Sequence, residues 1–431
     1  MRRGIAASAL VAALAVTLAA CGSSGSSGGS APAAGASVDP STVSGSVTYW
    51  DTSDAKAEAP TYQAVIADFE KKYPNIKVNY VNVPFGDAQN KVKNAFSTGS
   101  GAPDVIRSEI AWTPELAADH YLLPLDGTSA LVNADDFLPN PVAATKYDGK
   151  TYAVPQVTDT MALFYNKKMF AAAGIATPPK SIDELKADSA QIKQKLGKTG
   201  FYLRGDDPYW SLSFLYGEGG DLVDANSKTV TVDNAAGVKA FSTIKDLVDS
   251  GAAKTSVTDG WANMMSDFQS GNVAMMINGP WSLATINSGG GEFTDKSNLG
   301  IAVVPAGSVT QAAPQGGQSY AIYAGSKATA ASEVFVQYMA SPEAQTKIFQ
   351  GTGALPTRKS VWAEPAIADT DEAKFFKDAI DKAHQRPWIP EGGTLFDPLK
   401  TEYTAMLSGK ESPQTAVKNT GDAYRKNLGW K

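Results

Sequence analysis

The alternation of apolar and polar residues predicts an α/β fold at the start of the folded region. Residues 46–50 have the pattern of a strand, and apolar side chains within 62–73 then recur at helical spacing until Pro74 ends the helix. Residues 76–83 alternate again, so that strand, helix and strand follow one another. Parallel strands need a crossover of this kind, and we therefore expect a parallel-type sheet in this part of the chain.

The same patterns continue farther along the chain. A helix is predicted over 87–96, a short strand over 103–106 and a short helix over 114–120. Polar N-caps predict later helix starts: a capping box over 181–184 that opens a helix running toward Gly197, and Ser-Pro pairs at 341–342 and 412–413. Strands and helices thus alternate over most of the sequence, which favours an α/β class.

The first 45 residues have a different character. Two arginines precede an apolar run over 5–16, which is too short for a stable membrane span, so residues 1–20 are predicted to be an export signal. Residues 18–21, Leu-Ala-Ala-Cys, resemble the bacterial lipobox, which implies lipid attachment to Cys21. An ordinary cleaved signal with a free Cys21 is the alternative. Residues 21–45 are rich in Gly, Ser and Ala and are predicted to be a flexible tether.

Composition excludes several classes of function. Cys21 is the only cysteine of the 431 residues, so no intramolecular disulfide can form, and the net charge of −6 argues against nucleic acid as a partner. The two histidines lie far apart without other ligands at metal-site spacing, so we expect no metal and no cofactor. Gly-Lys-Thr at 149–151 and 197–199 lacks the upstream glycine of a phosphate-binding loop, and both segments are predicted to be turns.

Carboxylates and aromatic residues are the remaining candidates for chemistry. A pair of carboxylates could hydrolyse a glycosidic bond, and the available acids are Glu109, Asp159, Asp206, Asp207 and Glu218. Large aromatic residues also stand beside polar ones in segments that resemble loops, at Trp112, Tyr209-Trp210, Trp281 and Trp388. A sugar presents a C–H face that packs on such rings and hydroxyls that bond to polar groups. The alternative for each tryptophan is packing in the core.

Five motifs carry a resemblance to a known family. The chain from residue 46 onward resembles the substrate-binding proteins of bacterial ABC importers, in the maltose/maltodextrin branch of the oligosaccharide-binding family. The matching motifs are Ala-Pro-Asp-Val at 102–105, Lys-Thr-Tyr-Ala-Val-Pro at 150–155 through Leu-Phe-Tyr-Asn-Lys at 163–167, Gly-Asn-Val-Ala-Met-Met-Ile-Asn-Gly-Pro-Trp at 271–281, Leu-Pro-Thr-Arg at 355–358, and Ser-Gly-Lys at 408–410. Their order and spacing cover nearly the whole mature chain.

The resemblance implies a two-lobed, periplasmic-binding-protein-like fold. Each lobe would be a mostly parallel sheet flanked by helices, with the ligand in the cleft between the lobes. Lobe 1 is expected over 46–157 and 316–361, and lobe 2 over 161–312 and 365–431, so the chain would cross three times. Several crossings of this kind allow two rigid lobes to close around a ligand as on a hinge.

The resemblance also implies a set of ligand contacts. Asp159 stands six positions before the tyrosine of the Phe-Tyr-Asn-Lys strand, where the family has a sugar-binding acid. Asp207 and Tyr209 match an acidic-Pro-Tyr segment, and Trp281 matches a stacking indole, while Phe396 stands where the best-known member has a further indole. The full set of expected ligand-binding residues is Asp51, Asp54, Glu109, Trp112, Asp159, Asp207, Tyr209, Trp210, Trp281, Arg358, Trp388 and Phe396. A turn or helix-capping role is the alternative for Asp159.

The sequence therefore predicts a sugar-binding lipoprotein on the outer face of the cytoplasmic membrane. It would capture an oligosaccharide, with maltose or a maltodextrin as the expected ligand, and deliver it to the membrane subunits of an ABC permease. We expect a monomer that is anchored by lipid on Cys21 and has no catalytic activity. Two alternatives are a surface-anchored glycoside hydrolase and a sugar sensor that serves no transporter.

Overall fold

The structure is a computed structural model that describes residues 39–288 and 290–431. The predicted signal peptide, Cys21 and most of the predicted tether lie outside the described residues. Among the helices of the described part, none combines the length and the apolar character that a bilayer crossing requires.

Fifteen strands are found in the described part of the chain. They are β1 (Gly45–Asp51), β2 (Ile76–Asn82), β3 (Val105–Glu109), β4 (Lys146–Tyr147), β5 (Lys150–Thr151), β6 (Ala153–Thr160), β7 (Ala162–Asn166), β8 (Thr199–Arg204), β9 (Val223–Asp224), β10 (Thr229–Val230), β11 (Ala253–Ser256), β12 (Val273–Asn278), β13 (Leu299–Ala302), β14 (Gln315–Ile322) and β15 (Leu355–Pro356). Eleven of them build two large sheets, and the other four form two-stranded ribbons.

Seventeen α-helices surround these strands in the described part. They are α1 (Ala59–Lys72), α2 (Phe85–Thr98), α3 (Trp112–Ala118), α4 (Pro139–Ala144), α5 (Lys167–Ala173), α6 (Ile182–Leu196), α7 (Leu212–Gly217), α8 (Ala235–Asp249), α9 (Gly260–Gln269), α10 (Leu283–Ser288), α11 (Thr329–Met339), α12 (Pro342–Thr352), α13 (Lys359–Trp362), α14 (Pro365–Ala368), α15 (Asp371–Asp381), α16 (Phe396–Leu407) and α17 (Pro413–Leu428). Short 3-10 helices, among them Pro208–Ser211, Pro280–Ser282 and Gly392–Leu395, complete the inventory.

Both large sheets are mixed sheets with a parallel core, which confirms the predicted α/β class and corrects the expectation that each sheet is mostly parallel. The first has the strand order β15-β6-β14-β3-β1-β2, and β1 pairs in parallel with β2 and β3. β14 runs antiparallel to both β3 and β6, so β6 has the same direction as β3. In the second sheet, of order β11-β8-β12-β7-β13, only β7 is reversed relative to the other four strands.

Local sequence signals explain several element boundaries. The Oγ atom of Ser181 accepts a hydrogen bond from the backbone N–H of Glu184 at 3.2 Å and so caps α6. Gly197 ends the same helix in the left-handed conformation, with a φ of 66°, which glycine adopts without steric cost. Ser341 and Ser412 cap α12 and α17 in the predicted way. The two Gly-Lys-Thr segments, at 149–151 and 197–199, lie at a hairpin turn and at the end of a helix.

The chain passes between the two sheets more than once. β6 belongs to the first sheet and β7 to the second, with only Met161 between them. The chain returns to the first sheet between β13 and β14, and after β15 it runs into α16 and α17, which pack against α8 beside the second sheet. The lobe limits given above stay a prediction, whereas sheet membership is a direct observation. The chain leaves the first sheet at the end of β6 and returns to it at the start of β14. The last residues of β6 and the first residues of β14 therefore lie where the two sheets approach each other.

Candidate functional site

Two carboxylic acids lie on the strands that flank β14. β14 is hydrogen-bonded to β3 on one side and to β6 on the other. Its register places Gln318 opposite Glu109 on β3, and Gly316 opposite Asp159 on β6. Both acids therefore border the first residues of β14, near the place where the chain arrives from the second sheet.

Gly316 leaves a space in which polar atoms from two parts of the chain meet. A β-carbon at position 316 would lie 2.0 Å from Oδ1 of Asp159 and 2.8 Å from the hydroxyl oxygen of Tyr209. Tyr209 belongs to the 3-10 helix Pro208–Ser211, which follows β8 of the second sheet. The carboxyl group and the phenol therefore converge on the same small volume, and this volume exists because residue 316 has no side chain.

Arg386 lies at the centre of this group, although sequence reasoning gave it no role. Its Nη2 atom donates to Oε1 of Glu109, and its Nε atom donates to the carbonyl oxygen of Gln315 at 2.9 Å. The guanidinium carbon lies 5.5 Å from the ring centre of Tyr209 and 5.4 Å from that of Trp388. Nothing near Arg386 in the sequence predicts that this arginine reaches β3. The only signal for a functional role was the neighbouring Trp388.

Asp159 carries the unusual electrostatics of the site. Its Oδ1 atom is inaccessible to water and has no hydrogen-bond partner among the described residues. Burial raises the pKa of Asp159 to about 7; the negative charge of Glu109 also raises it, and the positive charge of Arg386 opposes the shift. The capping role considered as the alternative is not seen for Oδ1. A buried carboxyl oxygen without a donor is an exception among buried polar atoms, and it can accept from a ligand hydroxyl once its neighbours move to admit one.

Aromatic rings form one wall beside these polar groups. The ring centre of Tyr209 lies 6.3 Å from that of Trp281 and 6.4 Å from that of Phe396. Trp281 and Phe396 are both half-buried, so part of each ring is accessible. We define the Arg386 cluster as Arg386, Glu109, Asp159, Tyr209 and Trp388, and it offers rings, a carboxyl acceptor and a guanidinium donor within one volume. Such a mixture is chemically suited to a polyhydroxylated ligand with an apolar face.

Two other predicted residues, Asp207 and Trp210, belong to a different group. Trp210 is 3% exposed, and its indole N–H donates to the carbonyl oxygen of Ile277 at 2.6 Å, so it packs in the core. Oδ1 of Asp207 accepts from the backbone N–H of Tyr209 at 3.0 Å, which caps the 3-10 helix. Its other oxygen lies 3.4 Å from Nη1 of Arg204. The structure thus gives both residues contacts that hold the fold.

The predicted loop after β1 is also engaged internally. Asp51 is completely buried, and its carboxylate accepts from the hydroxyl group of Tyr80 at 2.6 Å. Oδ1 of Asp54 accepts from the backbone N–H groups of Lys56 and Ala57 at 2.9 and 2.8 Å. Asp54 therefore shapes the turn that leads into α1, and its side chain is not among the groups that meet at Gly316.

Arg358 contrasts with Arg386, although both arginines are buried. All three guanidinium nitrogens of Arg358 donate to backbone carbonyl groups, which are those of Ala340, Asn133 and Val132 at 2.6, 3.1 and 3.3 Å. Burial lowers the pKa of Arg358, while its pairing with Asp136 opposes that shift. Arg358 therefore holds backbone segments together, and its side-chain hydrogen-bond partners among the described residues do not include any member of the Arg386 cluster.

The last two predicted aromatic residues have different surroundings. The sequence predicts a loop at Trp112, but α3 begins at Trp112, and the side chain is only 6% exposed. Its ring stacks on that of Phe85, with 5.5 Å between centres and 24° between planes. Trp388 is half-buried, and its indole N–H donates to Oε1 of Gln385 at 3.2 Å. Of the predicted ligand-binding residues, the structure brings Glu109, Asp159, Tyr209 and Trp388 together near Arg386, and it places Trp281 and Phe396 beside Tyr209.

Comparison with known proteins identifies relatives of the whole described part. Residues 53–346 match the family described as bacterial extracellular solute-binding protein. Among solved structures, the GacH receptor of Streptomyces glaucescens GLA.O is 55% identical, with a TM-score of 0.88, and the match covers 90% of this chain and 100% of that one. That receptor was solved without ligand and in complex with acarbose and an acarbose homolog.

Two curated relatives extend the comparison. The diacetylchitobiose binding protein DasA of Streptomyces coelicolor is 26% identical over 440 residues, which cover 99% of each chain. A maltotriose-binding protein of Pyrococcus abyssi is 24% identical over 379 residues, covering 84% of this chain and 78% of that relative. The similarity thus spans the residues that form both sheets.

Proposed function

We infer the function of this chain from the family to which it belongs, the bacterial extracellular solute-binding proteins. Members of this family bind a solute and carry out no catalysis. We propose that the solute is an oligosaccharide of the α-glucan type, such as maltose or maltotriose, and that the chain delivers it to the membrane subunits of an ABC permease. The alternative glycoside hydrolase is disfavoured because Glu109 is already paired with Arg386.

One observation supports a sugar above other solutes. The unpartnered Oδ1 atom of Asp159 and the hydroxyl oxygen of Tyr209 both lie against Gly316. The rings of Trp281 and Phe396 stand beside the ring of Tyr209. A sugar hydroxyl would donate to Asp159 while the C–H face of the same ring packs on an aromatic ring. Acarbose, which was bound in the structure of the 55% identical receptor, is a second ligand to test.

Transport requires that the permease distinguish the liganded form from the free form. The chain passes between the two sheets at Met161 and again over residues 303–314, between β13 and β14, and we propose that these two connections act as a hinge. A ligand that contacts Asp159 from one sheet and Tyr209 from the side of the other would favour a closed arrangement. It shifts the population only by its greater affinity for that arrangement.

Calorimetric titration and thermal-shift measurements test the proposed ligand class. We expect maltose, maltotriose or acarbose to raise the melting temperature with concentration, because a ligand that binds only the native state stabilises it. Trehalose, raffinose, xylobiose and cellobiose serve as comparison sugars. Stabilisation by none of the α-glucans would overturn the proposal, and release of products from maltotriose would support the hydrolase instead.

The lipid anchor is a separate proposal, because Cys21 lies outside the described residues. We expect Cys21→Ala to release the protein from membranes into the medium, since the tether of residues 21–45 would then have no attachment. Sugar affinity should stay unchanged, because the tether separates the fold from the anchor. Membrane fractionation measures the first effect and calorimetry the second. Retention of Cys21→Ala in the membrane fraction would contradict the anchor.

A further inference from the structure

A second aromatic surface lies outside the Arg386 cluster. Phe85, the first residue of α2, is 47% exposed, and it is the only aromatic residue among the exposed large apolar side chains of the described part. Its ring stacks on the buried ring of Trp112, so its orientation is fixed. An aromatic side chain that is both exposed and held in place offers a flat surface without the entropy loss of ordering it on binding.

The position of this pair relates it to the proposed cleft. α2 follows β2 and α3 follows β3, so both helices begin where parallel strands of the first sheet end, and ligands bind outside the carboxyl ends of such strands. Glu109 of the Arg386 cluster is separated from Trp112 by only two residues. The Phe85–Trp112 pair therefore lies on the same edge of the sheet as Glu109.

The loop over residues 387–393 joins this edge to the Arg386 cluster. A β-carbon at Gly392 would lie 3.9 Å from the carbonyl oxygen of Ala111, which precedes Trp112. At Gly393 it would lie 2.3 Å from Nε2 of Gln89, one helical turn after Phe85. The same loop carries Trp388, whose ring faces Arg386. An elongated ligand that leaves the Arg386 cluster along this loop would reach the ring of Phe85.

Polar groups stand next to the exposed ring. Nε2 of Gln89 donates to Oε2 of Glu115 at 2.9 Å, and the ammonium group of Lys93 is hydrogen-bonded to the other oxygen of the same carboxylate. The amide of Gln89 and the ammonium group of Lys93 each keep further N–H donors beyond their bonds to Glu115, and such donors near a ring suit the hydroxyls and the C–H face of a sugar. We propose that Phe85, supported by Trp112, forms an outer subsite for an additional sugar ring of a longer oligosaccharide. This proposal rests on the proposed function.

Calorimetric titration of Phe85→Ala with maltose and with linear maltodextrins of three to six units tests the outer subsite. We expect the variant to lose about fivefold or more in affinity for the longer ligands, because an aromatic contact is removed, and less than about twofold for maltose. Phe85→Trp should restore the binding of the longer ligands. Val132→Ala is the matched control, since Val132 is similarly exposed, at 44%, but is not part of the stacked pair.

The outcomes separate the two proposals. Equal losses of Phe85→Ala for maltose and for the longer ligands, or no loss for any of them, would overturn the outer subsite while the proposed function stands. Failure of the unmodified protein to bind any maltodextrin would overturn the proposed function itself. A loss for longer ligands that Val132→Ala reproduces would also count against the subsite.

Discussion

The Arg386 cluster and the surroundings of Arg204 contain the same kinds of groups in different states. Arg204 lies over two indoles, with its guanidinium carbon 4.5 Å from the ring centre of Trp210 and 5.6 Å from that of Trp261. It is paired with Asp206 at 2.7 Å and with Asp207 at 3.4 Å. Arg386 likewise lies over two rings and beside two acids. Each of the two regions thus combines one arginine, two aromatic rings and two carboxylates.

The difference lies in which hydrogen bonds are made. Near Arg204, the second oxygen of Asp206 accepts from the backbone N–H of Gly260 at 3.0 Å, and Asp207 caps a 3-10 helix. Near Arg386, by contrast, Oδ1 of Asp159 has no partner among the described residues, although it is inaccessible to water. Buried polar atoms are normally hydrogen-bonded, and an exception calls for an explanation. The comparison teaches that arginine and aromatic rings occur in both regions, whereas the unsatisfied acceptor of Asp159 is the feature that sets the proposed binding site apart from the Arg204 region.

The two tryptophans give the largest expected contrast between these regions. Trp210→Ala should lower the free energy of unfolding by about 3–5 kcal/mol with unchanged sugar affinity, because a buried indole is replaced by a cavity. Trp281→Ala should instead weaken binding by about 1–3 kcal/mol and leave the melting temperature near that of the wild type. Denaturation and calorimetry measure the two quantities. Weaker binding of Trp210→Ala at unchanged stability would return Trp210 to the site.

The space above Gly316 provides the next test. Gly316→Ala would place a β-carbon 2.0 Å from Oδ1 of Asp159 and should reduce affinity about a hundredfold, about 2.7 kcal/mol, because the carboxyl group must move from its position. Gly86→Ala is the matched control, since no atom lies within 4 Å of a β-carbon there. Isothermal titration with the preferred sugar measures both variants. Wild-type affinity in Gly316→Ala would show that the ligand does not use this space.

The carboxylates of the two regions should respond differently to neutralisation. Asp159→Asn keeps the shape of the side chain and should weaken the preferred sugar at least tenfold, about 1.4 kcal/mol. Asp207→Asn should change affinity less than about threefold, since Asp207 contacts Arg204 and a backbone N–H. Calorimetry on both variants decides between them. Equal losses would mean that the Arg204 region also contacts the ligand.

The raised pKa of Asp159 predicts an effect of pH on stability. The pKa is about 7 in the folded protein and 3.8 for an ordinary aspartate, so the stability contributed by the protonated form is fully present below pH 3.8 and is lost as pH rises to 7. We expect the free protein to lose about 2–3 kcal/mol between pH 5 and 8 through this group. Denaturation of wild type and Asp159→Asn at each pH isolates it. Identical pH profiles would place the pKa of Asp159 outside this window.

Local signals made much of the fold predictable. The predicted capping box over 181–184 and Gly197 bound α6 because both act within one helical turn. The strand predicted over 103–106 instead runs from Val105 to Glu109, since its pairing with β1 and β14 is set by distant residues. The antiparallel direction of β14 likewise cannot be predicted from its own residues, because that direction depends on the distant strands β3 and β6.

The candidate site was predictable in part, for a related physical reason. Family motifs pointed to Asp159, Tyr209 and Trp281, and the structure places these side chains near one another, while their contact with a ligand stays a prediction. Arg386 was missed because its role depends on reaching Glu109, which is 277 residues away in sequence. Trp210 follows Tyr209 directly, yet Trp210 is buried and Tyr209 borders the candidate site. Only the tertiary packing decides which of two adjacent rings faces the core.

The missing side chain at Gly316 also has an evolutionary meaning. Binding surfaces usually change their preferences in small steps, because a side chain can be shortened, lengthened or turned to another rotamer. At residue 316 no small step exists, since every possible replacement adds the same β-carbon at the position that meets Asp159 and Tyr209. If the proposed site binds the ligand, selection would therefore act against every amino-acid replacement at residue 316, and adaptation to new ligands would proceed through the surrounding rings and loops.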